Sequence, residues 1–135
     1  MREWRTPIRC YVPRVGNNKI ADWHADLSLR EKADADEFLR IMRKTEGWQM
    51  PNYRPQLRPV KGVKASQVRG LGEIRWISGK KQHRLLGFFG DNVWYAVLGC
   101  THKQNIYDPA DALATAVKRK NEIQKAEVKT VEYDL

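Results

Sequence analysis

Residues 68–100 constrain the fold more than any other part of the chain. Their sequence, VRGLGEIRWISGKKQHRLLGFFGDNVWYAVLGC, contains three runs of aliphatic and aromatic residues separated by the short turns SGKK and GDN. Glycine and asparagine in such connections are typical of β-hairpins. The segment therefore predicts an antiparallel meander with strands at residues 71–77, 83–89 and 93–98.

The third run, VWYAVL, is apolar on both faces, which predicts a central strand covered on both sides. Helices are the available cover. Ser28 and Glu31 form an S-x-x-E capping box, which predicts a helix over residues 28–45. A second helix is predicted at about 109–124, with Asp108 as its N-cap.

The remaining segments predict smaller elements. Residues 4–12 alternate like a strand, and Pro7 and Pro13 at its ends suggest an edge position. Residues 49–69 hold three prolines and predict a connector that includes at most a short strand, and residues 126–135 predict a further short strand.

These elements predict one α+β domain spanning residues 1–135. Its small antiparallel sheet has three to five strands, with the core of the sheet at about residues 68–100. Two or three helices pack against the sheet.

The positive charge of the chain is concentrated in one segment. The net charge is +9 over 135 residues, and nine Lys or Arg but a single acid, Glu73, lie between Arg54 and Arg84. Such clustering is typical of a polyanion binder, although a solvated basic loop or a patch for an acidic protein gives the same pattern. Nucleic acid is favoured because the segment runs into a sheet that carries aromatic residues.

No cofactor or metal signature is visible. The sequence has no G-x-x-x-x-G-K-[ST] loop, no G-x-G-x-x-G, no H-x-E and no C-x-x-C, and its three histidines are dispersed. We therefore expect neither a cofactor nor a metal. Cys10 and Cys100 form no disulfide framework, the N-terminus has no apolar signal region, and no run approaches the roughly 18–20 apolar residues of a membrane span, so we expect a cytoplasmic protein.

The cationic and titratable groups around the meander suit a metal-free ribonuclease, in which the RNA 2′-hydroxyl attacks the adjacent phosphorus. The protein then has to bind the phosphate, for which an arginine fork is suited, and to move protons, for which histidine, tyrosine or a lysine of lowered pKa is suited. Arg75 and Arg84 could instead lie on a solvent face and pair with Glu73 or Asp91. The candidate residues are Arg75, Lys80, Lys81, His83, Arg84, His102, Lys103 and Tyr107.

The stretch GLGEIRWISGKKQHRLLGFFGDNVWYAVLGCTHK, followed by DPADALATAVKRK, resembles the phage-derived branch of the RelE/HigB toxin superfamily. The resemblance covers roughly the C-terminal half of the chain. It implies a RelE-like α+β fold and the toxin of a type II toxin–antitoxin system. It further implies metal-independent cleavage of mRNA on the ribosome, with a helix-turn-helix type antitoxin protein as the cognate partner.

The resemblance also implies roles for individual residues. Arg84 matches the arginine expected at the scissile phosphate, Arg75 matches a basic position on the first strand of the meander, and Lys103 with His102 matches the basic positions after the third strand. Tyr107 matches an aromatic position near the C-terminal segment. His102, His83 and Tyr107 stay open as the proton-exchanging group, and the RNA-binding candidates are Lys80, Lys81, Arg69, Lys64 and Lys61.

Two other functions stay open. The same superfamily includes ParE-type proteins that inhibit DNA gyrase without cutting nucleic acid, and a fold alone does not separate the two activities. A non-catalytic phage nucleic-acid-binding protein would carry a similar basic segment.

Overall fold

A computed structural model of the protein describes residues 5–104 and 106–134. Over these residues the chain is an α+β protein with three helices and seven strands. The elements in chain order are β1 (Ile8–Val12), α1 (Lys19–Ala25), α2 (Leu29–Arg43), β2 (Tyr53–Arg54), β3 (Gly72–Ser78), β4 (Lys81–Phe89), β5 (Trp94–Lys103), β6 (Ile106–Asp108), α3 (Ala112–Gln124) and β7 (Lys129–Glu132).

The strands form a single mixed sheet in the order β2-β3-β4-β5-β1-β7, and β6 pairs with the end of β5. The predicted meander is confirmed, because β3, β4 and β5 are antiparallel neighbours. The expected three to five antiparallel strands were too few. The strands that extend the sheet beyond β1 and the meander are short: β2, β6 and β7 have two to four residues each. The sheet is mixed because β1 runs parallel to β5.

The predicted edge position of the first strand was wrong. β1 lies between β5 and β7 and pairs with both. Pro7 and Pro13 lie just outside the strand, so neither removes a donor from its ladder. The strand predicted in the C-terminal tail is confirmed as β7, and this strand provides the edge.

The capping box of the long helix is confirmed. The Glu31 amide donates to Ser28 Oγ at 3.2 Å, and the Ser28 amide donates to Glu31 Oε1 at 3.0 Å. The predicted cap of the C-terminal helix was wrong: Asp108 pairs with Thr101 in the β5–β6 ladder, and α3 begins only at Ala112.

Each face of the sheet carries its own hydrophobic core. On one face, α1 and α2 cover residues that include Ile74, Leu85 and Trp94. On the other, α3 and the connector before β3 cover residues that include Leu86 and Leu113. β5 contributes to both cores, which confirms the prediction that this strand is central and covered.

A β-bulge in β5 changes which of its side chains face each core. Leu86 of β4 is paired with Leu98, but the next residue, Gly87, is paired with Ala96, so Val97 has no partner on β4. Trp94 and Ala96 belong to the core under α1 and α2, whereas Val97 and Leu98 both belong to the core under α3. Because a bulge shifts the alternation by one residue, the even-numbered positions after it face α3.

We expect Gly99→Ala to destabilise the fold. A Cβ at this position would overlap the indole ring of Trp23, which packs α1 on β5. Overpacking of this kind typically costs about 1–3 kcal/mol, measurable by chemical denaturation. Adding Trp23→Leu should make room for the new methyl group, so the double variant should lose less stability than the two single losses added together. Strict additivity would contradict this packing.

Candidate functional site

Polar side chains from five strands, β2 to β6, lie side by side on the face of the sheet that α3 covers. They lie beyond the edge of the hydrophobic core on that face. Residues directly opposite each other in a ladder share a face. We call this set the polar face, and its cross-strand pairs are Arg54–Glu73, Arg75–Arg84, Gln82–His102 and His102–Tyr107.

The carboxylate of Glu73 is the centre of the polar face. Its side chain is only 2% exposed, and Tyr107 donates its hydroxyl hydrogen to Glu73 Oε2 at 2.6 Å. The Nε atoms of Arg75 and Arg84 each lie 3.6 Å from Glu73 Oε1. One buried negative charge therefore orients two positive charges and a phenol.

Arg84 is a buried cation. Its side chain is 5% exposed, Nη1 donates to the His83 carbonyl at 2.9 Å, and Nη2 donates to Gln82 Oε1 at 3.1 Å. Burial lowers the pKa of Arg84 from its ordinary value, and the Glu73 carboxylate opposes that shift. The interpretation of both arginines as solvent-face residues was therefore wrong for Arg84. Both arginines pair with Glu73. Asp91, the other partner considered, follows the far end of β4.

Two cavities open on either side of Gln82. The first, which we call the arginine cavity, has a volume of about 490 Å³ and is lined by Phe38, Pro51, Asn52, Arg75, Trp76, Ile77, Gln82 and Arg84. The second, the histidine cavity, has a volume of about 410 Å³ and is lined by Lys80, Lys81, Gln82, Thr101, His102, Lys103, Gln104 and Asp108. Because Gln82 lines both, the two cavities border each other across β4.

His102 and Tyr107 have their ring centroids 4.9 Å apart. Burial and the positive charges of Arg84 and Arg75 lower the pKa of His102, so its imidazole is neutral at pH 7 and can accept a proton. Burial and the Glu73 carboxylate raise the pKa of Tyr107 well above its usual value, so its phenol stays protonated. Of these two candidates, His102 is the group that can act as a base, and Tyr107 holds Glu73 in place.

His83 does not lie on the polar face. It is 1% exposed, its ring stacks on Trp76 at 5.7 Å, and its Nε2 lies 3.0 Å from Glu31 Oε2 at the start of α2. Successive strand residues point to opposite faces, so His83 points away from Arg84, and it lines neither cavity. Burial also lowers the pKa of His83, although Glu31 opposes this. The expectation that His83 exchanges protons with substrate is corrected to a packing role under α2.

The predicted lysines divide into two groups. Lys80 in the β3–β4 turn, Lys81 at the start of β4 and Lys103 at the end of β5 line the histidine cavity. Lys81 Nζ also lies 3.7 Å from Glu31 Oε2. The remaining candidates, Lys61, Lys64 and Arg69, are exposed on the connector between β2 and β3 and line neither cavity.

Sequence reasoning missed three members of the polar face. Glu73 was considered only as a pairing partner, and Gln82 and Arg54 were not considered as site residues. The alternation of β3 does place Glu73 on the face of Arg75, two residues away. No local signal reports the two-residue strand that brings Arg54 opposite Glu73.

The described parts of the chain, 5–104 and 106–134, contain no group of three or more His, Cys, Asp or Glu residues that could hold a metal ion. No helix within those ranges has both the length and the apolar character needed to cross a membrane.

Cys10 and Cys100 are buried free thiols, and burial raises the pKa of Cys10 to about 12, so it is an unreactive thiol at neutral pH.

We expect Glu73→Gln to destabilise the protein strongly, because it leaves the buried guanidinium of Arg84 without its counter-charge. Losing one partner of a buried ion pair typically costs about 3–5 kcal/mol. Glu37→Gln is the matched control: Glu37 pairs with Arg40 at 3.1 Å on the exposed surface of α2, where a pair contributes about 0–1 kcal/mol. Equal losses in urea denaturation would contradict the central role of Glu73.

We expect the imidazole of His102 to titrate below its ordinary pKa of 6.5, as followed by NMR of its ring protons. Arg75→Gln removes one of the positive charges that disfavour protonation, so the pKa of His102 should rise in this variant. Arg30→Gln removes the same charge from the opposite side of the sheet and should leave the titration unchanged. A pKa of His102 that does not move in Arg75→Gln would contradict the electrostatic coupling.

Known proteins give no independent assignment of this site. A scan against protein-family models, a search of curated proteins and a search of solved structures found no match to this chain. The residues of the polar face and their geometry are therefore the basis for assigning a function.

Proposed function

We propose that this protein is a RelE/HigB-like toxin of a type II toxin–antitoxin system that cleaves mRNA on the ribosome without a metal ion. The observation that carries the proposal is the polar face: two arginines fixed on one buried carboxylate, beside a neutral imidazole. These are the parts that a metal-independent ribonuclease requires, namely cations for the phosphate and a base for the 2′-hydroxyl.

The arginine cavity is suited to a phosphate group. Arg75 and Arg84 bring two positive charges to Glu73, so the cluster keeps a net positive charge. Arg75 is 26% exposed and can present its guanidinium group to an anion, whereas the side chain of Arg84 is only 5% exposed. Arg84 Nε is buried and has no hydrogen-bond partner within residues 5–104 and 106–134. A poorly solvated cation attracts an anion more strongly than a hydrated one does.

The cleavage step uses the RNA as its own nucleophile. The 2′-oxygen attacks the adjacent phosphorus, the O2′–P bond forms and the P–O5′ bond breaks, leaving a 2′,3′-cyclic phosphate and a 5′-hydroxyl. His102 accepts the proton of the 2′-hydroxyl, and the departing 5′-oxygen takes a proton from the Lys103 ammonium or from water. Arg75 stabilises the charge that grows on the phosphoryl oxygens, and Arg84 positions Gln82 and supports that charge.

The arrangement of the chain supports the family assignment and a RelE-like fold. The motifs that carry the resemblance occupy β3, β4, β5 and α3 in the expected order. The helical pair α1–α2 precedes the meander, where the family places its N-terminal helical part. We further propose that the cognate antitoxin, a helix-turn-helix type protein, neutralises the toxin by covering the polar face.

We expect expression of the wild-type chain to arrest growth, with new mRNA 5′ ends inside coding regions. Arg75→Gln should lower cleavage of a defined mRNA on purified ribosomes by roughly 100-fold, the usual effect of removing one group that stabilises the transition state. This substitution tests the site better than Arg84→Ala, because Arg84 is buried and its loss also destabilises the fold.

Arg30→Gln is the control for charge, since Arg30 lies on the exposed side of α2, and it should cleave like the wild type. Growth arrest with DNA damage and intact mRNA would contradict cleavage and favour gyrase inhibition. Ribosome binding without cleavage or toxicity would favour a non-catalytic nucleic-acid-binding protein.

A further inference from the structure

The connector between β2 and β3 is a closed loop with fixed ends. The Leu57 amide donates to the Leu71 carbonyl at 2.9 Å, which joins the start of the loop to its end. The side chain of Gln56 crosses the loop: Nε2 donates to the Val68 carbonyl at 2.8 Å, and Oε1 accepts from the Gly70 amide at 2.9 Å. The backbone within residues 55–71 is therefore held by its own hydrogen bonds.

Three aliphatic side chains anchor the loop to the protein. Leu57, Val63 and Val68 are each at most 8% exposed and belong to the core that packs under α3. Burying these apolar side chains stabilises the docked position of the loop. The segment that the sequence predicts as a connector therefore has one defined position, packed on the core under α3.

The outer surface of the loop carries unpaired positive charge. Arg58, Lys61, Lys64 and Arg69 are exposed, and residues 54–69 contain no acid. The ion pairs found among residues 5–104 and 106–134 involve none of these four.

Two cations on the exposed side of α2 are paired, in contrast to those of the loop. On α2, Arg30 and Arg40 pair with Asp34 and Glu37. A fifth cation adjoins the loop: Lys120 of α3 lies 6.0 Å from the centroid of the Phe88 ring, and its side chain packs near Gly70.

We infer that this loop is a preformed docking surface for double-helical RNA, separate from the polar face. Proteins that hold single strands combine positive charge with aromatic side chains on which bases stack, and residues 54–71 contain no aromatic residue. An RNA duplex is recognised through its phosphates and 2′-hydroxyls, which suits exposed cations interspersed with the polar side chains of Ser66 and Gln67. The choice of RNA over DNA rests on the proposed function.

The anchors of the loop and the arginines of the polar face lie on the same face of the sheet. The anchors of the loop belong to the core under α3, and that is the face on which Arg75 and Arg84 lie. Leu71 directly precedes β3 and is four residues before Arg75, or roughly 13 Å at the usual rise per residue of a strand. A structured RNA docked on the loop can therefore hold the protein while a single strand enters the polar face.

The test compares two four-site variants with equal loss of charge. The loop variant carries Arg58→Gln, Lys61→Gln, Lys64→Gln and Arg69→Gln. The control variant carries Lys19→Gln, Arg30→Gln, Arg40→Gln and Lys44→Gln, all at exposed positions on the α1–α2 side. The probe is an RNA duplex of about 16 base pairs, the length that duplex-binding domains typically cover. Binding is measured by fluorescence anisotropy between about 50 and about 200 mM salt.

We expect the loop variant to bind the duplex at least about tenfold more weakly and to lose roughly one unit of the log–log salt slope for each phosphate contact removed. The control variant should keep most of the affinity and the slope. A variant in which each loop Lys is replaced by Arg and each loop Arg by Lys keeps the charge and should bind the duplex like the wild type. Circular dichroism should show that all variants fold.

Equal weakening by both four-site variants would overturn the inference, because net charge alone would then explain binding. A loss confined to a single-stranded RNA probe, to an acidic protein or to anionic vesicles would also overturn it. The proposed function is tested separately. If the wild type and Arg75→Gln both bind the duplex but the wild type cleaves no mRNA, the nuclease activity is refuted and the docking surface stands.

Discussion

The buried carboxylate of Glu73 is the interaction on which the polar face depends. Moving an ion out of water costs several kcal/mol, so Arg84 can remain buried only beside an opposite charge. Glu73 supplies that charge, and it also sets the direction of Arg75 and accepts the hydroxyl hydrogen of Tyr107. The same carboxylate that makes the cluster stable therefore makes it rigid, which is the condition for electrostatic preorganisation at a catalytic site.

The bulge in β5 determines which residues join this cluster. Before the bulge, even-numbered residues of β5 such as Trp94 face α1 and α2, and after it Cys100 and His102 face the side of α3. Without this shift of one residue, His102 would lie beneath the helices and away from Arg84. A local irregularity in the backbone thus places the candidate base beside the candidate phosphate ligands.

The molecule divides its positive charge between two surfaces of different character. In the polar face, the cations are organised around Glu73, and Gln82 joins the arginine cavity to the histidine cavity. On the β2–β3 loop, the cations are exposed and unpaired, and buried aliphatic side chains fix their positions. In our proposal the first surface performs chemistry on a single strand and the second holds structured RNA, so affinity and cleavage can be altered independently.

The sequence by itself determined the elements that have strong local signals: the meander, the capped helix α2, the central position of β5 and the basic segment. Hydrophobic period, capping and turn residues act over a few positions, so these elements could be predicted along with the candidate arginines. The tertiary structure alone decided the parallel pairing of β1, the partners of the short strands β2 and β6, and the bulge, because each depends on a distant strand. It also separated His83 from Arg84 and made Glu73 the common partner of Arg75, Arg84 and Tyr107. Burial and charge pairing are properties of neighbours in space, and β2 and β6 bring those neighbours together from positions about 50 residues apart in the chain.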